Sequence, residues 1–333
     1  MKKSFLLIAL LCVTTLSFAQ TSTLTATLKH GDNITAFYGI NALVEAHEAA
    51  SAGDVITLSS GTFNPTYINR AITLRGAGCV DDPELSTGLT NISGRTSFNI
   101  ENVDQHMTIE GIYFTEILVE RLYSPTFIRC NVGYITSNYG DCLVDAHFFN
   151  CIFKTFRTYG SKNTLFENCI IHEIYWNSDF GSDQPVTAYN SYLKLGCSFN
   201  KLIVHNCIIV PNGFNMNTGN YGYSEAYNCV SICNEGSMFD CPAHDCWENK
   251  TFAETFASFT GEDYDWATEQ LILTDYAAST FLGPDGTQVG VHGGSLPYAA
   301  RPTYMVPART SADHETTPDG KLNVHIEVIS ESK

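Results

Sequence analysis

The sequence is short of charge, and above all of positive charge. Only 16% of its 333 residues are Asp, Glu, Lys or Arg, and 18 basic side chains face 35 acidic ones, a formal net charge of −17. A chain this acidic has no basic stripe to neutralise phosphates, which argues against nucleic acid as a partner. The same balance disfavours docking on an anionic membrane surface. Beyond the first nineteen residues no apolar run is long enough for a transmembrane helix, so no membrane insertion is expected. Apolar residues are plentiful instead, at 44%, which supplies a large core and excludes disorder. The length allows two domains or one large all-β domain.

Residues 1–19 read as a secretory signal. Lys2 and Lys3 form a positive start, Phe5 to Val13 is a short apolar run, and Ser17-Phe18-Ala19 puts small residues at the cleavage site, before Gln20. Cys12 would suit a lipoprotein, but Leu11 precedes it where a small residue is needed. The mature chain is expected to be exported, to the periplasm, the cell surface or the medium, as a monomer. Cleavage would leave 16 basic against 35 acidic side chains and eleven cysteines. Many cysteines in an exported chain invite a disulfide framework. Their odd number, and the place of five of them in a repeat, oppose it.

Six segments share one pattern: Phe127–Val132, Phe148–Phe153, Phe166–Ile171, Ala188–Leu193, Val204–Ile209 and Ala226–Ser231. One position recurs as Cys130, Cys151, Cys169, Ser191, Cys207 and Cys229, in steps of 21, 18, 22, 16 and 22 residues. Asn precedes it at Asn150, Asn168, Asn190, Asn206 and Asn228. Met107–Phe114 is an earlier, degenerate copy. Each copy is a short strand, an Asn suited to a left-handed bend, and a second short strand. A step of roughly twenty residues fits one coil of three short strands, which buries its inner face only by stacking on neighbours. The pattern predicts a parallel β-helix of residues 53–294. The cysteines are expected to form an inward ladder of small buried thiols, and the Asn amides an outer ladder in which each bonds the next.

Residues 20–52 form the N-terminal segment. Gly39 to Gly53 is rich in Ala and Glu at helical periodicity and predicts a short helix that caps the first coil and blocks edge-to-edge pairing. Gly53-Asp-Val-Ile-Thr-Leu-Ser-Ser-Gly-Thr-Phe63, followed by Ile72-Thr-Leu-Arg-Gly-Ala-Gly78, resembles the opening coils of right-handed parallel β-helix proteins of the pectate-lyase-like superfamily. Leu273–Ser279 and Gly283–Gly294 resemble the closing coils of its exported bacterial members. The resemblance implies an all-β, right-handed parallel β-helix. It implies no single activity, since the superfamily holds lyases, hydrolases, epimerases and adhesins. The tail, 295–333, carries four prolines and one alternating strand, Lys321–Ile329. It reads as a segment folding back along the helix or as the stub of an appended element.

The chemistry is sparse. The paired aspartates and Gly-His-Gly element of the superfamily's polygalacturonase-type hydrolases are absent; His292-Gly-Gly294 is a partial echo, and Asp81-Asp82 reads as a solvated loop. A polysaccharide lyase needs a base and a cation against a uronate. Lys154 and Arg157 are the best basic pair within the coils. Asp179 and Asp183, and separately Glu262, Asp263 and Asp265, leave calcium open as the one candidate cofactor, without matching an EF-hand loop. Cys233, Cys241, His244 and Cys246 suit a zinc-like cluster poorly, for want of a Cys-x-x-Cys pair; a Cys241–Cys246 disulfide and buried thiols are equally open. Two long insertions, Ile174–Asp183 and Asn212–Tyr223, lie two coils apart and emerge on one flank. Their Tyr175, Trp176, Tyr221 and Tyr223 either line a sugar-stacking groove or pack on one another. Three readings follow: a polysaccharide-interacting envelope protein with no recognisable catalytic constellation, a polysaccharide lyase or glycoside hydrolase, or a structural or adhesive stalk.

Overall fold

The structure is a computed structural model that describes residues 24–81, 88–138, 140–158, 160–176, 185–196, 201–211, 216–217, 224–233, 239–261, 271–299, 306–312 and 324–329. The chain winds into a parallel β-solenoid of about eight turns. One sheet of twelve strands begins with β2 (Asn33–Tyr38), β1 (Thr25–His30) and β3 (Val55–Leu58) and ends at Ala243–His244. A second, of thirteen strands, includes Thr90–Asn99, Tyr113–Tyr123, Asn131–Ser137, Ile152–Thr158, Ile170–Trp176 and Tyr192–Leu195, and ends at Trp247–Lys250. Among the described residues no helix is long and apolar enough to cross a membrane.

In-register stacking explains the core. Leu74, Ile109, Phe127, Phe148, Phe166, Ala188 and Val204 occupy one inward column on successive strands. Phe148 and Phe166 stack at 5.2 Å with 15° between ring planes, while Phe153 and Phe156 meet Phe148 edge-on. Such ring pairs add to the gain from burying their area.

The Asn positions are the bends. Arg129, Asn150, Asn168, Asn190, Asn206, Asn228 and Asp245 all lie at φ between 47° and 53°. Asn and Asp tolerate this left-handed conformation better than other non-glycine residues. The residue after each bend is inward and hydrogen-bonded twice over. Cys169 Sγ donates to the Glu167 carbonyl at 3.3 Å, Cys207 to His205 at 3.2 Å and Cys229 to Tyr227 at 3.2 Å, each two residues back across the bend. The thiol also accepts from the coil before it: the Ser191 N–H points at Cys207 Sγ, that of Cys207 at Cys229 Sγ, and that of Cys229 at Cys246 Sγ, each at 3.4 Å. Ser191 Oγ does the same, accepting from the Cys169 N–H at 3.0 Å and donating to the Tyr189 carbonyl at 2.8 Å. A small side chain that both donates and accepts suits this corner, and Cys and Ser are such side chains. Cys130 and Cys151 lie in the same row, also buried.

The Asn amides do something other than bond one another. Asn150, Asn190 and Asn206 leave Oδ1 without a hydrogen-bond partner among the described residues. The Asn168 amide instead donates to the Val291 and Gly293 carbonyls, both at 2.9 Å, and that of Asn150 to Pro297 at 3.5 Å. The left-handed bend turns these side chains toward a segment laid over the outside of the solenoid.

That segment corrects the expected closing coils. The last coil strand among the described residues is Trp247–Lys250, and residues 251–261 and 271–299 lie back over the outer face of the thirteen-stranded sheet. It carries two short helices, α2 (Phe252–Thr255) and α3 (Asp275–Thr280), here preceded in the chain by α1 (Ala42–Ala49). Phe256, Phe259, Leu273, Phe281, Val289 and Val291 pack on Ile152, Ile170, Tyr192, Ile208 and Val230, the outward residues that open successive strands. Glycine permits the close fit. A Cβ on Gly290 would come within 2.8 Å of Ile208, and one on Gly294 within 2.5 Å of the Asn190 amide. The tail holds two strands rather than one, Val306–Ala312 and Val324–Ile329, joined as an antiparallel pair.

At the N-terminal end, helix α1 is shorter than the expected 39–53. It ends where Ala50 turns extended, and Gly53 follows at φ 89° in the turn into β3. It buries Ala42, Leu43, Ala46 and His47 over the end of the core. It does not close the sheet edge. β1 pairs antiparallel with β3 on one side and with β2 on the other, and β2 is the outermost strand.

Candidate functional site

The outer face of the thirteen-stranded sheet divides along its strands. Ile152 and Ile170 lie under the returning segment, whereas Arg157 and Tyr175, further along the same two strands, stand outside it. Arg157 is exposed and in register with Tyr175, and its guanidinium carbon lies 5.6 Å from the ring centroid, a cation–π contact. The Tyr175 hydroxyl donates to Glu173 Oε1 at 2.8 Å. The ring also lies on Gly196, where a Cβ would come within 2.7 Å of Tyr175 Cζ. Tyr175 is thus a clamped ring with contacts to Arg157 and Gly196, not an open platform. Lys154 is exposed on the same strand as Arg157.

The same face continues toward the N-terminal coils. Tyr134 pairs in register with Thr155 on one side and Glu116 on the other. Glu116 pairs with Arg95, whose Nη2 lies 2.7 Å from Oε1. Beyond them Tyr67 donates to Glu120 at 3.2 Å and accepts from the Asn99 amide at 2.7 Å. The result is a half-exposed band of hydroxyl, carboxylate, guanidinium and amide groups, several of them paired with one another, on strands spaced about 4.8 Å apart.

Of the other expected site residues, Asp179, Asp183, Tyr221 and Tyr223 lie outside the described residues, as do the side chain of Trp176 and the carboxylates Glu262, Asp263 and Asp265. Among the described residues no group of three or more His, Cys, Asp or Glu side chains is placed to hold a metal ion. Cys233, Cys241 and Cys246 are half-buried, and no bridge joins Cys241 to Cys246. Burial pushes the Cys241 thiol up to about 12, and a hydrogen bond with Cys229, with burial second, raises Cys246 as well. Burial likewise holds Cys130, Cys151 and Cys229 well above the usual thiol range, so these groups stay protonated and unreactive at neutral pH.

A second surface feature was missed in the sequence. On the outer face of the twelve-stranded sheet Tyr189, His205, Tyr227 and His244 stand in register, with ring centroids 4.7, 4.7 and 4.6 Å apart and planes within 13° of parallel. The Tyr227 hydroxyl donates to Glu225. Burial lowers the affinity of His205 for a proton, partly opposed by Glu225. Each of the four residues directly precedes a bend residue, so the column was present in the repeat at the position before Asn. In this stack the ring faces meet one another and the edges face outward. It stiffens the coils and leaves little ring face for a sugar.

No protein-family model and no curated protein matches the chain. Among solved structures, a chain described as Geobacillus virus E2 ORF18 matches with 14% identity and a TM-score of 0.32, over 62% of this chain and 55% of that one. The chain therefore spans little more than half the length of that protein, and likeness at this level bears on neither activity nor ligand.

Proposed function

We propose that the protein is an exported, polysaccharide-interacting solenoid that engages its ligand along the open part of the thirteen-stranded sheet and does not cleave it. The observation that supports this reading is the band from Arg95 through Glu116, Tyr134 and Thr155 to Arg157 and Tyr175. It offers hydrogen-bonding groups on rigid strands at a regular spacing, with the Arg95–Glu116 and Arg157–Tyr175 side chains already held by each other, which lowers the ordering cost of binding an extended hydroxyl-rich chain. Export rests on the signal-like residues 1–19. Calcium bridging to an acidic glycan would relieve repulsion from the net charge of −17 and remains part of the proposal.

The test is incubation of the mature protein, with and without calcium, against plant, algal and host glycans. Retardation on native affinity gels is read together with release of unsaturated or reducing ends. Retardation without release is the expected result. Release of either kind of end overturns the non-catalytic reading in favour of a lyase or hydrolase using Lys154 or Arg157. Silence in both readouts favours a stalk.

A further inference from the structure

Among the described residues β2 has one edge with no neighbouring strand, and that edge is built to pair with itself. Its sequence, Asn-Ile-Thr-Ala-Phe-Tyr, has no charge, proline or glycine, the usual devices that protect an edge strand. The two-residue turn Gly31-Asp32 makes His30 and Asn33 a hydrogen-bonded pair, and such pairs alternate along an antiparallel ladder. Thr35 and Phe37 therefore bond β1. The Gly39 N–H, which reaches the Leu24 carbonyl at 2.8 Å, keeps that phase. Ile34, Ala36 and Tyr38 are left to aim their N–H and C=O groups at the free side. Their side chains share one face, and Ile34 and Tyr38 are 70% and 64% exposed. Helix α1 covers the core end but leaves this edge open.

We propose that the occupant of this edge is β2 of a second copy of the chain, in a two-fold symmetric antiparallel pair centred on Ala36. In that register Ala36 faces the partner's Ala36, and Ile34 faces the partner's Tyr38. The three free residues of each strand then bond one another. Aromatic against β-branched is a favourable cross-strand pair, and the two-fold repeats it. No like charges meet, because Asp32, the nearest charge in sequence before the strand, falls opposite the partner's Ile40. The geometry also suits the net charge. Joining at the N-terminal ends directs the two acidic bodies away from each other, farther apart than the roughly 8 Å over which charge acts at physiological salt. The other end of the same sheet is different: Ala243–His244 is only two residues long and runs into Asp245. The proposed assembly is thus an end-to-end dimer, where the sequence reading expects a monomer.

Sedimentation equilibrium over a concentration series tests this on the full mature chain. The expected result is a mass that rises to twice that of the chain. Ala36→Lys, which sets two ammonium groups across the axis, should return it to the single-chain mass with an unchanged far-ultraviolet spectrum. Ala36→Cys should cross-link to a covalent dimer with oxidised glutathione, whereas Lys29→Cys, on the neighbouring strand, should not. A single-chain mass at every concentration overturns the proposal, and so does a dimer that Ala36→Lys leaves intact. If Ala36→Lys fails to fold, the Ala36→Cys cross-link decides, and its absence also overturns the proposal.

Discussion

Two parts of one sheet face treat the same kind of strand in opposite ways. In Ile152–Thr158 and Ile170–Trp176 the first outward residue is apolar and covered, and a later one is polar or aromatic and open. The covered part is a second core outside the solenoid. The open part is held by pairings such as Arg95–Glu116 and Arg157–Tyr175. Stability is concentrated where the returning segment lies, and the proposed recognition face is the part it does not reach.

Removing the covering side chains should separate the two most sharply. Phe281 is fully buried with its ring centroid 5.2 Å from that of Trp247, so Phe281→Ala should cost about 3–5 kcal/mol, read by chemical denaturation, with glycan retention unchanged in protein that remains folded. If Phe281→Ala costs under about 1 kcal/mol, the second core is not a core.

Acid should be the next largest perturbation. Burial, assisted by the Arg70 charge, lowers His47 from 6.5 to about 4. In this case the unfolded chain binds a proton that the folded chain refuses. The contribution is therefore fully present above pH 6.5 and is lost as the pH falls toward 4. His205, lowered in the same direction, adds a smaller loss of the same sign. Denaturation midpoints measured between neutral pH and pH 4 should fall for the wild type and fall less for His47→Gln. A flat profile contradicts the assignment.

The corner thiols come third. Cys229→Ala removes the acceptor of the Cys207 N–H and the donor to the Tyr227 carbonyl, so it should cost about 1–3 kcal/mol, whereas Cys229→Ser, which copies Ser191, should recover most of it. Equal losses for the two variants would show that the position needs only small volume. Smallest of all should be Arg157→Ala, on the open part. Its cation–π contact is exposed and worth about 0.5–1 kcal/mol, but glycan retention should drop clearly.

The repeat was legible because the bend leaves a chemical mark in every coil. A left-handed residue followed by a small donor-acceptor, at steps near twenty, has few explanations other than stacked coils. The returning segment was not recognised, although a signal for it existed. In Cys-Ile-Phe, Cys-Ile-Ile and Ser-Tyr-Leu, two apolar residues follow the corner in succession, and a strand with adjacent apolar residues is buried on both faces. Nothing local could tell that the second cover came from residues 251–261 and 271–299, whose short apolar stretches and glycines imitate coils. The fate of the Asn amides was hidden for the same reason, because their partners Val291, Gly293 and Pro297 lie more than a hundred residues away. At the open site, Arg157 and Tyr175 were visible as residue types but not as a pair, since the register that joins them depends on loop lengths between coils. The Tyr-His column is written at the position just before each bend, but only the register of the coils brings those rings face to face.

The most direct test of the account compares glycan retardation on native gels for the wild type, for Tyr134→Ala/Arg157→Ala on the open face, and for Tyr227→Ala on the stacked column. The first variant is expected to lose retardation and the second to keep it, both remaining folded. Loss with Tyr227→Ala and retention with Tyr134→Ala/Arg157→Ala, or no retardation of the wild type by any glycan, would contradict it.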